Sequence, residues 1–147
     1  MLELAEELLL GLREHAQEGY PSEVCGVLLG LDGEVREVTA IRRSTNLRAA
    51  TTRDRYEIDP QDIVEADREA RDRGLLMLGF YHSHPDHPAA PSRYDAERAW
   101  PWYTYLILAT SSEEPGEVTA WRREAEEMVE EPLRFISRGK VGESAHE

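Results

Sequence analysis

The sequence predicts an α/β (α+β) sandwich built around a mixed β-sheet, and three observations carry that reading. Apolar runs of strand length recur along the chain, at 24–31, 35–42, 74–81 and 103–109. Stretches with helical apolar spacing precede and separate them. The chain has 147 residues, with no repeat and no interdomain linker. Helices placed before and between strands must cover the faces of a sheet, because each apolar stripe needs a partner layer. One domain over 1–137 is expected, followed by a flexible tail over 138–147 that carries Gly139 and Gly142 among polar neighbours.

Leu2, Ala5, Leu8, Leu9, Leu12 and Ala16 fall at helical spacing, and Gly19-Tyr20-Pro21 stops that helix. Strands over Val24–Leu31 and Val35–Arg42 follow, joined at Asp32-Gly33. The polar stretch 44–54 reads as an irregular segment near a site, and 55–58 as a short strand. Asp59-Pro60 starts a helix that runs through Arg73, with proline suited to the first turn and Gly74 suited to the stop. The apolar run Gly74-Leu75-Leu76-Met77-Leu78-Gly79-Phe80-Tyr81 has the bulk of a buried strand. A helix from Ser92 to Ala99, strands near 103–109 and 117–122, and a last strand or short helix over 133–137 complete the reading.

Formal net charge is −13, from 30 acidic and 17 basic residues, which makes nucleic acid and anionic membranes poor partners. Sixteen of the basic residues are arginine, against the single Lys140. A GC-rich genome and a high-salt cytoplasm both account for that bias. No apolar stretch is long enough to span a bilayer and no signal-type segment opens the chain, so a cytoplasmic protein is expected. The lone Cys25 excludes an intramolecular disulfide, and its place in an apolar run reads as a small core residue.

His82-Ser83-His84 closes the long apolar run. Side chains two apart on a strand share a face, so the two imidazoles stand side by side while Ser83 turns away. Asp95, after a loop, can add an oxygen ligand. Two histidines, one carboxylate and an open fourth position form the ligand set of a catalytic zinc site. Ser92 and Asp95 also have the spacing of a helix cap, and the two readings are compatible because a fixed helix start would hold Asp95 rigid. Glu23, just ahead of the first apolar strand, is either a solvated edge residue or a positioned acid/base. The H-x-E and P-C-x-x-C pattern of zinc deaminases and the His-Glu-x-x-His helix are both absent.

Glu23, His82-x-His84, then seven residues to Ser92 and two more to Asp95, resembles the signature of the JAMM (MPN+) metalloproteases. The flanking Cys25-Gly26-Val27-Leu28, Gly79-Phe80-Tyr81 and Pro91-Ser92 agree, and no signature position is missing. The resemblance implies a three-layer MPN fold similar to cytidine deaminase, with Zn²⁺ held by His82, His84 and Asp95. It implies that Glu23 takes the proton of a zinc-activated water and passes it to the leaving amine, while Ser92 steadies the oxyanion. Arg53-x-Arg55-Tyr56-x-Ile58-Asp59-Pro60 and the loop 84–89 are similar to compact bacterial members linked to sulfur carriers. The implied substrate is the bond after the C-terminal glycine of a ubiquitin-like β-grasp sulfur carrier. A homodimer is left open. His15 reads as lying on the polar face of the first helix, and His87 as a solvated loop residue within reach of the site. A non-catalytic interaction module and a metal-dependent hydrolase of small amides remain as alternatives.

Overall fold

A computed structural model describes residues 1–48, 56–113 and 115–137. The elements run β1 (Leu2–Ala5), α1 (Glu6–Gly19), β2 (Cys25–Asp32), β3 (Arg36–Ser44), α2 (Pro60–Asp72) and β4 (Leu76–Pro85). They continue with α3 (Arg93–Arg98), β5 (Thr104–Thr110), β6 (Pro115–Glu124), β7 (Glu127–Glu131) and β8 (Leu133–Ile136). The strands form one mixed sheet of order β7-β6-β5-β4-β2-β3-β1-β8. Parallel pairs (β4 with β5, and β1 with β3 and β8) stand beside antiparallel hairpins, so the expected mixed sheet is present.

Two apolar layers flank the sheet. Leu12 and Ala16 of α1 pack with Leu28, Val38, Tyr81 and Leu106 on one face. Ala66 and Ala70 of α2 pack with Val27, Leu29 and Ala40 on the other. Alternation along β2 therefore feeds both layers, as expected for a strand buried on both sides, and the architecture is a three-layer sandwich. Among the described residues no helix is long and apolar enough to cross a membrane.

Most element boundaries fall within one or two residues of the sequence expectation, and α2 follows its signals closely. Asp59 accepts a hydrogen bond from Gln61 N at 2.9 Å, Pro60 takes the first turn, and Gly74 ends the segment at φ +68°. Two expectations are corrected, and one further strand forms where the sequence raised none. Leu2–Ala5 is a strand, not the start of α1, because β3 and β8 supply parallel partners on both sides. Leu2 fits a helical period with Ala5 and a period of two with Leu4. The acidic segment Glu127–Glu131 forms an edge strand by hairpin with β6, where its low strand propensity is offset by the partner's ladder. Of the short strand expected at 55–58, residue 55 lies outside the described residues and 56–58 carry one bridge, Asn46 to Ile58. Residue 133 onward adopts the strand alternative, and the tail expected over 138–147 lies outside the described residues.

β7 and β8 occupy opposite ends of the strand order with only Pro132 between them. One residue spans only a few ångströms, so the sheet must curl until its two edges meet. Arg36, 3% exposed, ties the interior of that curl together. Its guanidinium donates to the carbonyls of Leu78 and Trp102, pairs with Asp32, and lies 4.0 Å over the Trp102 ring.

β4 carries an extra residue. Leu28 pairs with Gly79 but Leu29 with Met77, leaving Leu78 bulged. The bulge sends Leu78 and Tyr81 into the α1 layer and Met77 and Phe80 into the α2 layer, and so fixes which face the following histidines use. Gly79 permits the tight approach of β5, since a Cβ there would lie 1.8 Å from Thr104 O. Gly79→Ala is expected to destabilise the fold by about 3 kcal/mol or more through this backbone clash. Gly33→Ala, whose Cβ meets nothing closer than 3.8 Å, should stay within about 1 kcal/mol. Urea unfolding followed by circular dichroism measures both, and equal midpoints for the two variants would contradict the clash.

Candidate metal centre

β2 and β4 run antiparallel with Cys25 opposite His82. Two bonds extend that register past the ladder, Ser83 N to Val24 O at 3.0 Å and Val24 N to Ser83 Oγ at 2.9 Å. Ser83 is thereby turned to the opposite face and fully buried, as the spacing predicts. Glu23, one residue further along, comes beside His84. Ligand atoms of Glu23, His82 and His84 all lie within 4.8 Å of one another, and all three residues are buried.

Asp95 arrives from α3. Ser92 Oγ accepts from Asp95 N at 3.0 Å, while Ser92 N donates to Asp95 Oδ2 at 2.9 Å, which is a complete capping box. The cap and the site are one structure. Held this way, Asp95 Oδ2 stands 3.2 Å from His82 Nε2 and 3.0 Å from His84 Nε2, and the two Nε2 atoms are 3.0 Å apart. Donors around a four-coordinate ion with bonds of roughly 2.0–2.2 Å sit roughly 3.3 Å from one another. Two imidazoles and a carboxylate at nearly that mutual spacing fit a divalent cation by both geometry and donor chemistry. The structure thus brings together every residue the sequence singled out at 23, 82, 84, 92 and 95.

The imidazoles are held differently. His84 Nδ1 lies 2.9 Å from Pro88 O; donating there leaves the Nε2 lone pair aimed inward. The loop that carries this carbonyl is pinned by Thr119 Oγ1 to Ala89 O, by Asp86 N to Thr110 O at 2.7 Å, and by Tyr20 hydroxyl to the Asp86 carboxylate. His82 lies flat against Tyr56, with ring centroids 4.3 Å apart and planes 20° apart. Tyr56 appears in the sequence only as part of a family-like motif. Its contact with His82 joins residues 26 apart in the chain and leaves no local signal, and neither does the choice of the Pro88 carbonyl.

Electrostatics follow from burial and contact. Burial lowers the His82 pKa, and hydrogen bonding to Asp95 only partly offsets it. Burial also opposes charge on His84, but the hydrogen bonds to Asp95 and Pro88 O outweigh it and hold its pKa above the usual value. For Asp95, burial alone would raise the pKa; the contacts from His82, His84 and Ser92 N hold it far below the usual carboxylate range. The cluster therefore presents an anionic carboxylate between two imidazoles.

A cavity of about 300 Å³ opens on the site, lined by Glu23, His84, His87, Pro88, Ala90 and Ser92. Ser92 and His87 are exposed at its wall, so His87 is within reach of the site as expected. Cys25 is fully buried beneath it, and burial, with Asp62 and Glu23 adding, pushes its thiol up to about 12. It is a packed core residue and not a nucleophile. His15 departs from expectation. Rather than facing solvent, it is half-buried behind β4, with Nδ1 2.7 Å from the Tyr81 hydroxyl, and burial lowers its pKa to about 4.

Residues 5–124 match the family described as prokaryotic homologs of the JAB domain. The chain is 43% identical to a desampylase of Haloferax volcanii over 113 residues, covering 74% of this chain and 80% of that protein. It is 28% identical to a CysO-cysteine peptidase of Mycobacterium tuberculosis over 137 residues, 92% of each. A solution structure of a Desulfitobacterium hafniense protein superposes with a TM-score of 0.83 at 29% identity, covering 93% of this chain and 94% of that one. With its sandwich, its strand-end histidines and these likenesses, the chain belongs to the prokaryotic JAB domain family.

Proposed function

We propose that this protein is a zinc-dependent peptidase that hydrolyses the bond after the C-terminal glycine of a ubiquitin-like or sulfur-carrier protein. The observation that carries the reading is the convergence of His82, His84 and Asp95 within 3.2 Å of one another, with Glu23 beside the histidines and sharing a cavity with His84. The relatives support the substrate class, since one is named a desampylase and another a CysO-cysteine peptidase. On this reading residues 1–137 act as one catalytic unit in the cytoplasm. The net charge of −13 argues against a nucleic-acid partner.

His82, His84 and Asp95 would hold the ion, with Asp95 preferred over Glu23 because its Oδ2 touches both Nε2 atoms. When bound, zinc acidifies water to a pKa of about 7 and polarises the scissile carbonyl. Glu23 does the proton work. Its carboxylate takes a proton from the attacking water as the oxygen bonds to the carbonyl carbon, then delivers it to the amine nitrogen as the carbon–nitrogen bond breaks. Ser92, exposed on the cavity wall, donates a hydrogen bond from its hydroxyl to the oxygen that gains negative charge. That role is compatible with its cap, because the cap uses the Ser92 oxygen as an acceptor and leaves its hydrogen available.

Three outcomes are expected. His84→Ala should lose most bound zinc while retaining the far-ultraviolet spectrum; elemental analysis of the purified variant reads this, and unchanged zinc would remove His84 from the ligand set. Glu23→Gln should keep the metal but slow turnover by about 10²–10⁴-fold, and a wild-type rate would make Glu23 an edge residue only. The wild-type enzyme should release an amine from a glycine-tailed carrier adduct and act poorly on dipeptides, as followed by mass spectrometry of both reactions. Cleavage of dipeptides alone would indicate a small-amide hydrolase, and cleavage of neither an interaction module.

A further inference from the structure

We propose that Tyr56 is a positioning residue for the metal centre, fixing the His82 ring by stacking where hydrogen bonding does not. The inference deepens the reading above and rests on His82 being a ligand. A metal-binding imidazole ordinarily donates its second ring nitrogen to an oxygen, which fixes ring rotation. His84 does so through Pro88 O. His82 does not: its Nδ1 is buried and, among the described residues, has no hydrogen-bond partner. Rotation about its Cβ–Cγ bond would swing the ring edge into Tyr56, which lies parallel to it at 4.3 Å. The tilted His84 ring is a second neighbour, 4.9 Å away. The phenol ring thus does sterically what a carbonyl does for His84, and it helps keep His82 at 1% exposure.

Tyr56 can hold that position because its own segment is anchored. Asn46 Oδ1 accepts from Glu57 N at 2.9 Å, Leu47 N donates to Glu57 O at 2.8 Å, and Asn46 bridges to Ile58. Immediately beyond, Asp59 caps α2. Asn46 also reaches the other side of the centre, its Nδ2 donating to Glu23 O at 2.9 Å. One asparagine therefore spaces the segment bearing the stacked ring against the residue bearing the proposed base. The motif Tyr56-x-Ile58-Asp59-Pro60 acquires a local explanation: proline and aspartate start α2, Ile58 closes the bridge, and the tyrosine two residues earlier is delivered to the His82 face.

The test compares wild type, Tyr56→Phe, Tyr56→Leu and His84→Ala, each stripped of metal. Zinc affinity is measured by competition with a chromophoric chelator, the visible spectrum is recorded with Co²⁺, and melting is measured on the metal-free proteins. Tyr56→Phe keeps the ring and should bind zinc within about 3-fold of wild type with the same Co²⁺ spectrum. Tyr56→Leu keeps apolar bulk without a flat face and should weaken zinc by about 10–100-fold and alter the Co²⁺ bands, in excess of any change in metal-free melting. Wild-type affinity and spectrum in Tyr56→Leu would overturn the proposal. Equal losses in the Phe and Leu variants would overturn it too, by assigning the role to the hydroxyl. If Tyr56→Leu does not fold, Tyr56→Met takes its place: weakened zinc binding and altered Co²⁺ bands are expected, and wild-type affinity and spectrum would overturn the proposal. Should His84→Ala bind zinc as wild type does, the ligand assignment itself fails, an outcome separate from any result at Tyr56.

Discussion

The antiparallel register between β2 and β4 is the constraint on which the rest of this structure depends. Cys25 faces His82, and the clasp between Val24 and Ser83 carries that alignment beyond the last regular ladder pair. Ser83 is buried with its hydroxyl accepting a backbone N–H. A slip would leave that N–H without its partner, at a cost of about 1–3 kcal/mol for a buried group. It would also exchange the faces of the strand, because side chains alternate with period two. The bulge at Leu78 is the second half of the constraint. It shifts the phase of β4 so that Phe80, His82 and His84 share the α2 side, while Tyr81 and Ser83 share the α1 side.

Around that register the two faces of β4 have separate tasks. On the α1 side Tyr81 fills space that Gly26 leaves open, since a Cβ at 26 would lie 2.2 Å from the tyrosine ring. The tyrosine hydroxyl is satisfied by His15, so the rear of the strand is packed and polar-paired. On the α2 side, aromatic rings surround the polar cluster: Tyr56 lies on His82, and Phe80 packs near Tyr103 and Tyr105. A second cavity of about 230 Å³, bounded by Tyr56, Ile58, Phe80, Tyr94 and Tyr105, reaches Asp95 from this side. Apolar walls lower the local dielectric and strengthen every interaction among the imidazoles and the carboxylate.

The short loop and helix after β4 convert chain proximity into rigidity. Residues 86–91 are fixed at Asp86 and Ala90 by backbone partners and at Ala89 by the Thr119 hydroxyl, and the next turn is closed by the reciprocal bonds of Ser92 and Asp95. Asp95 therefore reaches the imidazoles on a helix of only six residues, which its cap and not its length stabilises. The fixed carbonyl of Pro88 orients one imidazole and the capped carboxylate meets both. Preorganisation of this kind is what a charged, buried cluster requires, because each misdirected polar group would go unpaid in a dry interior.

By itself the sequence determined the strand-and-helix alternation, the pairing of His82 with His84 on one face, the cap that presents Asp95, and the nearness of α2 to its Asp59-Pro60 start. These features depend on contacts within a few residues, and local periodicity and turn chemistry report such contacts directly. Tertiary structure alone decided that Leu2–Ala5 is a strand, since Leu2 fits a helical period with Ala5 and a strand period with Leu4, and only β3 and β8 choose between them. It decided that Glu127–Glu131 becomes an edge, that His15 turns inward to Tyr81, and that Tyr56 covers His82. For Leu2–Ala5, His15 and Tyr56 the deciding partner is far away in sequence, while Glu127–Glu131 takes its place from the neighbouring strand β6. A chain read residue by residue records which groups are available, and only the folded register says which of them meet.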